Sequence, residues 1–445
     1  MLYPLNCSAS VSRRSSRAEP GQVGRLMPLV WAVAFSFPPG MWAQSAQSRD
    51  TVLARLTAEA IASSPSLQQG RALAQASDAR VRAAGALPDP MLSAGVMNLT
   101  LPRFGFKESD FTEVDVELSQ ELPWPGTLGA QTRVAQAEAK VRQADASVRH
   151  REIVIRTAEL YYRLRYLVTA RSSLERQRTL LAAAVEIATN RYATTSAPQS
   201  DPLQARVALA RLDAEDADLA GQEAAVEAQL KALRNVRRPE KLRVEPIRPE
   251  AVQLMLHDVR RRALTQSGSL AGHPRLAASR AALEAAERAV RVEQLGGRPD
   301  FSITTRYGAR PLGSDFFSAF VSVRLPLWAG RKQSRLTAAA RADAEAARAG
   351  LDDETVSLAA ELESTLARIA ASERRLKLLY QQVLPSSRET VNAVLRSYRV
   401  GQAPFLNVLA AEDSLYRAEL EAIMVAAEHL TQLVTIEQLV TQEDA

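Results

Sequence analysis

Two segments 203 residues apart make the same abrupt transition. SQELPWPGTLGAQ (119–131) and SVRLPLWAGRKQS (322–334) each leave an alternating run through Leu-Pro, at Leu122-Pro123 and Leu325-Pro326. Each then passes a Trp and a Gly and enters a long Ala-rich, charged tract. Other segments recur in the same order. SPSL (64–67) pairs with HPRL (273–276), LPDPMLSAG (87–95) with GRPDFSITT (297–305), and RYATTSAPQSDPLQA (191–205) with SYRVGQAPFLNVLAA (397–411), at offsets of 209, 211 and 206. Ordered matches at near-constant offset imply a tandem duplication. The chain divides into residues 1–46, a first repeat at 47–250 and a second at 251–445 that ends in a C-terminal helix.

Residues 1–46 read as a secretory signal. Arg13, Arg14, Arg17 and Arg25 precede an apolar run, Leu26 to Phe37, and the small residues Ala43, Ser45 and Ala46 follow it. The run has 12 residues, short of the ~20 that span a bilayer. The whole chain has 56 basic and 50 acidic residues. Removing the signal takes away four Arg and Glu19 and leaves 52 and 49. That balance does not provide the strongly basic face that nucleic acid requires. The single Cys, Cys7, precedes the apolar run and leaves with the signal, so no disulfide framework is expected. After residue 46 no apolar stretch of 18 residues remains. Entry into a membrane is then possible only as strands of a barrel.

Each half reads as helix, strand, strand, long helix, turn, helix. In FTEVDVELS (111–119), Val114, Val116 and Leu118 oppose Glu113, Asp115, Glu117 and Ser119. In FSITTRY (301–307), Phe301, Ile303 and Tyr307 oppose Ser302, Thr304 and Arg306. In FFSAFVSVRL (316–325) the alternation is interrupted by Phe320, and in the run from Met91 to Thr100 it is less clean. Alternating segments with a polar opposite face suit a membrane barrel. An edge hairpin packed on a helix would show the same period. The tracts from Gly126 to Arg191 and from Gly330 to Leu384 are rich in good helix formers. The first predicts a rod of about 90 Å. The hairpin tips fall near 195–201 and 400–405. Asp201-Pro202 reads as an N-cap followed by Pro at the first helical position, and Gly401 as a C-terminal cap.

Pro123 and Pro326 sit where strand becomes helix, because Pro ends a ladder and is tolerated in a first helical turn. Gly126 and Gly330 allow the backbone to re-aim. Trp124 and Trp328 suit either an aromatic girdle at a membrane boundary or ordinary packing at the junction. Four strands cannot close a barrel alone, and open edges are not viable in hydrocarbon. Three chains give twelve strands. The expected fold is therefore an α+β membrane protein, internally duplicated. Its four strands per chain contribute to a trimeric twelve-stranded β-barrel, and its helical hairpins to a periplasmic α-barrel.

These residues carry a resemblance. The LPxPG and LPLWAGRK junctions, YRVGQAPFLNVLAAEDSLYRAELE near the C-terminus and the two-fold repeat together resemble the TolC-type outer-membrane efflux channels, over roughly residues 50–440. LPDPMLSAGVMNL and SQELPWPGTL are most similar to the heavy-metal branch of the resistance-nodulation-division type. The resemblance implies a homotrimer in outer-membrane lipid that extends into the periplasm. It implies a periplasmic adaptor and an inner-membrane efflux pump as partners, and neither catalysis nor a cofactor in this chain. It also implies that the periplasmic end closes by bonds between hairpin tips. Tyr398 falls on the family's latch Tyr and Asp201 on its partner Asp. The usual latch Arg position holds Ala403, and the two usual ring Asp positions hold Asn407 and Ala410. These departures leave two alternatives, a looser gate or one closed by other residues such as Glu412 or Asp413. The tip that meets the adaptor keeps Val400-Gly401, whereas the first tip has Thr194-Thr195.

No other chemistry stands out. His150, His257, His273 and His429 show no ligand spacing, so no metal site is expected. Met91 and Met97 share a strand and read as barrel filling. Most carboxylates fall on solvated helix faces. Glu113, Asp115 and Glu117 alternate toward the lumen, which suits a cation-favouring interior or plain wetting of the wall. A periplasmic coiled-coil scaffold is the reading from a different class, and a multidrug or type I secretion channel is the alternative within transport.

Overall fold

The computed structural model describes residues 50–440 except 100, 101, 103, 104, 108, 195–197, 239 and 248–269. The expected signal segment, the boundary between the repeats, Thr195 and His257 lie outside the described residues. Helices α1 (Thr51–Ser63) and α2 (Pro65–Ala84) lead into strands β1 (Met91–Met97) and β2 (Glu113–Leu122), then α3 (Thr127–Ala193) and α4 (Ser200–Leu233). A 3-10 turn (Leu270–Gly272) and α5 (Pro274–Leu295) lead into β3 (Asp300–Ala309) and β4 (Phe316–Arg324). Then come α6 (Gln333–Leu378), a π turn (Leu379–Val383), α7 (Leu384–Arg399) and α8 (Phe405–Val440). The order helix, strand, strand, long helix, helix thus occurs twice. Among the described residues no helix is long and apolar enough to cross a membrane.

The strands form one antiparallel sheet in the order β1-β2-β3-β4. The two halves meet where β2 pairs β3, from Leu122↔Phe301 to Val114↔Ala309. This register puts Leu92, Val114, Val116, Ile303, Tyr307 and Val321 on one face, and that face is exposed, with Val321 71% accessible. The opposite face carries Glu113, Asp115, Glu117, Ser119, Thr304 and Arg306, as period-2 geometry requires. The Ser119 and Thr304 hydroxyls meet across it at 3.0 Å.

The two junctions differ from expectation. Neither Pro lies in a first helical turn. Pro123 follows β2 and precedes α3 by four residues, and Pro326 precedes α6 by seven. Each ends its strand by lacking a ladder donor. Gly126 re-aims the first junction, with φ +93 at the N-cap of α3. Gly330 does not have a positive φ. The second junction turns through consecutive tight bonds instead, Ala329 N–H to Pro326 C=O at 3.0 Å and Arg331 N–H to Trp328 C=O at 2.9 Å. The Trp pair also separates. Trp124 stacks on Phe301 with centroids 6.0 Å apart, and its backbone N–H donates to Asp300 Oδ1 at 3.0 Å. Trp328 is exposed beside Leu325 and Leu327.

Helix α3 has 67 residues, a rod of about 100 Å. The second rod does not stop at Leu384. Pro385 lacks an N–H and crowds the preceding turn, and the wider π turn at Leu379–Val383 absorbs the mismatch, with Leu384 N–H bonding Leu379 C=O. Its three pieces, of 46, 5 and 16 residues, match α3 in length. Helix α3 packs along α2, α4, α5 and α8, and α6 along α5 and α8. Leu164, Leu167, Leu358 and Leu376 are fully buried between them. Each contributes about 1.5–3 kcal/mol by leaving water. Ala170, Ala422 and Ala426 have no accessible surface, so the backbones approach closely there. Asp50 ties the start of the described chain to the middle of α3. It caps α1 through Val52 and Leu53 N–H and accepts from Tyr161 Oη at 2.5 Å and Arg165 at 2.8 Å.

The glycine difference is testable. Gly126→Ala meets no steric obstacle but forces a side chain into left-handed backbone, and should lower unfolding free energy by about 1–2 kcal/mol. Gly330→Ala should stay within about 0.5 kcal/mol. Urea unfolding of the detergent-solubilised protein reads both, and equal losses would refute the distinction.

Candidate functional site

The end of α3 and the end of α7 lie side by side at the hairpin tips. The α7 terminus is closed by Gly401, with φ +79. Gly401 N–H bonds Tyr398 C=O at 3.0 Å and Gln402 N–H bonds Ser397 C=O at 2.9 Å. This is a Schellman closure, which favours Gly because its αL residue carries no Cβ penalty. Val400 is left exposed at the apex.

Tyr398 is the centre of this end. It is 2% accessible, and its Oη donates to Asp201 Oδ2 at 3.2 Å. Burial first, and Asp201 second, hold the phenol above its usual range, so it remains a donor. Asp201 is not the N-cap of α4. Gln199 occupies that position without a side-chain cap bond, and Asp201 lies inside the first turn, 7% accessible. Its carboxylate is engaged by Tyr398 and by Ser200 Oγ at 3.4 Å. The Tyr398 ring packs on Phe405 at 5.2 Å. Leu181, Ala184, Ala188, Ala205 and Val408 complete the apolar cluster that joins the two hairpins.

Sequence reasoning missed Arg191. Its guanidinium lies 4.6 Å over the Tyr398 ring and donates to the Tyr398 carbonyl. A cation is favourable there because the last carbonyls of α7 concentrate partial negative charge. Ala403, at the position expected of a latch Arg, therefore does not leave the tip without a guanidinium. The signal was available in the RY pair that opens the first repeat's tip motif, opposite SY in the second.

Two alternatives for closure fall elsewhere. Glu412 is buried on α8 and accepts from Gln177 Nε2 of α3 at 3.1 Å. Burial pushes its carboxyl up, and nearby Glu419 adds to the shift. Asp413 is exposed and pairs with Arg417 at 2.9 Å. Asn407 and Ala410 are exposed on the same helix. Not every helical carboxylate is solvated, since Asp201, Glu223 and Glu412 are buried.

The polar face of the sheet is a second region. Arg306 of β3 reaches across β2. Its Nη2 meets Glu113 Oε1 at 2.6 Å and its Nε lies 3.2 Å from Asp115 Oδ2. Near the helices, Arg324 pairs with Glu121 at 2.7 Å and lies 3.8 Å from Asp300. Two of the three expected lumen acids therefore have a counter-charge. Met97 packs its sulfur against Arg306, and Met91 ends the same strand face opposite Ser119.

His429 and His273 serve structure. His429 has no accessible surface and bonds Ser372 Oγ at 2.7 Å; burial pushes its pKa down to about 4. His273 caps α5 by accepting from Arg275 N–H at 3.3 Å; burial, then Arg151, pushes it down to about 4. Among the described residues no cluster of three or more His, Cys, Asp or Glu is arranged to hold a metal ion.

The family model described as outer membrane efflux protein matches residues 56–236 and 266–442. The fold is similar to that of the outer-membrane channel OprN, with a TM-score of 0.74 at 19% identity over 88% of this chain and 90% of that one. It is similar to CusC, with a TM-score of 0.75 at 15% identity over 88% and 92%. It is also similar to the outer membrane protein VceC from Vibrio cholerae, with a TM-score of 0.70 at 20% identity over 87% and 96%. At these identities the likeness is one of fold. No curated protein matches the chain in sequence.

The raised Glu412 carboxyl predicts a pH dependence. The folded state holds this proton more tightly than the unfolded state. The resulting stabilisation is complete below the ordinary carboxylate range and is lost as pH rises through the raised value. Glu412→Gln keeps hydrogen bonding to Gln177 without the buried charge. It should raise the thermal midpoint at neutral pH and flatten its decline with pH. A midpoint unchanged across pH 4–8 (about the range where carboxylates and their raised variants titrate) would contradict this.

Proposed function

We infer the function from one premise: the chain belongs to the outer membrane efflux protein family. It is the exit duct of a tripartite efflux assembly in the outer membrane, extending into the periplasm. The observation that carries this reading is the sheet itself. One face is apolar and exposed, the other polar and charged, and among the described residues the outer edges of β1 and β4 have no partner strand. Open edges are not viable in hydrocarbon. Three copies close a twelve-stranded barrel, an even number of strands as such barrels use, and agree with the homotrimer that the resemblance implies. The two hairpins of each copy, α3 with α4 and α6–α7 with α8, line a periplasmic α-barrel about 100 Å long. Trp328, Leu325 and Leu327 meet the lipid boundary. The repeats at 47–250 and 251–445 each supply one strand pair and one helical hairpin, behind a cleaved signal at 1–46.

The chain transports by shape and charge and performs no catalysis. An inner-membrane pump supplies the energy, and a periplasmic adaptor meets the tips at Val400 and Gly401. Tyr398, Asp201 and Arg191 latch the two hairpins of one chain and hold the tip closed. The cargo is small, and heavy-metal cations are the class we favour. Support comes from the junction resemblance and from the polar sheet face, where Glu113, Asp115, Glu117, Glu121 and Asp300 outnumber Arg306 and Arg324.

Three measurements test this reading. The protein extracted from outer membranes should run as a trimer that dissociates only on heating; a monomer soluble without detergent would defeat the duct. A deletion strain should become sensitive to copper, zinc, cobalt or cadmium; sensitivity to dyes and antibiotics alone would remove the metal cargo and keep the duct. Tyr398→Phe combined with Arg191→Ala removes a charge-assisted hydrogen bond and a cation–π contact, and should raise the open population in planar bilayers roughly ten-fold or more. Unchanged conductance would remove the latch.

A further inference from the structure

The strand register isolates one carboxylate. Asp115 is paired with Gly95 on β1 and with Gly308 on β3, so neither neighbouring strand presents a side chain directly across from it. Both glycines are constrained. A Cβ at Gly95 would stand 3.2 Å from Asp115 Oδ1, and one at Gly308 would meet the Phe316 ring at 2.7 Å. Asp115 is nonetheless only 8% accessible, and its Oδ1 has no hydrogen-bond partner among the described residues. Arg306 lies beside it, 3.2 Å away as an ion pair and without hydrogen-bond alignment. The same guanidinium holds Glu113 at 2.6 Å and stands directly across from Glu117 in the ladder. The cluster lies at the end of the sheet away from the helices, where β2 begins.

A guanidinium lying over a row of acids is a built-in counter-cation. It offsets one negative charge's worth of attraction for mobile cations and is itself 19% accessible to the space they would cross. We propose that Arg306 sets the charge selectivity of the outer end of the duct, lowering a cation preference that Glu113, Asp115 and Glu117 would otherwise impose. The proposal rests on the duct reading, and it assigns the specificity of that duct to a single side chain. It also separates the strength of the preference from its sign. The acids make the wall negative, and Arg306 meters how negative it is.

The test is the reversal potential of purified trimers in planar bilayers under a salt gradient, in two matched pairs. The first pair is wild type against Arg306→Gln. The second is Glu113→Gln with Asp115→Asn against the same double variant carrying Arg306→Gln. This second pair isolates the guanidinium without leaving an acid unpaired, should the first variant fail to assemble. In each pair, removing Arg306 should raise the cation-to-anion permeability ratio. The difference should be plain near 0.01 M salt, where screening extends over ~30 Å, and vanish near 1 M, where it extends over ~3 Å. A structural staple would not produce that salt dependence. Conducting channels with equal reversal potentials in both pairs at low salt would overturn the proposal and leave the duct intact. Absence of conductance in the wild type would overturn the duct and this proposal together.

Discussion

Backbone groups at a sheet edge need partners, and this constraint governs the rest of the molecule. Among the described residues, strands β2 and β3 have neighbours on both sides, while β1 and β4 have one each. The same ladder that leaves those edges open also pins the faces. With a period of 2, a slip of β2 by one residue would send Val116 to the charged side and Asp115 to the apolar side. The register is therefore held by the contrast between faces. It is held also by the cross-strand pairs that only this alignment forms, Ser119 with Thr304 and Arg306 with Glu113.

The helices answer a different constraint. A rod of 67 residues cannot bury all its sides, and α3 keeps charges along its length while burying Ala, Leu and Tyr toward its neighbours. Close approach depends on Ala170, Ala422 and Ala426. Equal rod length in the two halves persists although only the second rod contains a proline, because a π turn absorbs the mismatch at Pro385. The tips inherit that equality. Had the second rod ended at Leu384, Tyr398 would stand nowhere near Asp201 or Arg191.

Arginine organises the polar contacts in all three regions. Arg165 ties Asp50 and the 245–246 backbone to α3, Arg191 covers Tyr398 at the tip, and Arg306 lies beside Asp115 in the sheet. In each place the planar, permanently charged group spans two elements that a shorter side chain could not join. Acids alone, read along a strand or a helix, therefore overstate the charge that solvent meets.

Much of the architecture was legible in the residues themselves. Alternation marked β2, β3 and β4, helix-forming composition marked both rods, and four ordered matches marked the duplication, because these depend on local period and propensity. The contact of Tyr398 with Asp201 was legible through resemblance, and the capping role of Gly401 through its position after the last helical residue. What was not legible depends on the third dimension. The N-cap role assigned to Asp201 failed because Tyr398, 197 residues away in sequence, claims the carboxylate. Gly330 matched Gly126 in pattern but not in φ, since hydrogen-bonded turns did the work there. Glu412 looked solvated until Gln177 of another helix met it. Arg306 reaches across strands to Glu113 and Asp115, and no spacing along the chain encodes that reach. The sequence by itself determined the periods, the breaks and the two-fold plan, because those are interactions among near neighbours. Only the tertiary structure decided which charges stand free and which are neutralised, because that depends on elements brought together from opposite halves of the chain.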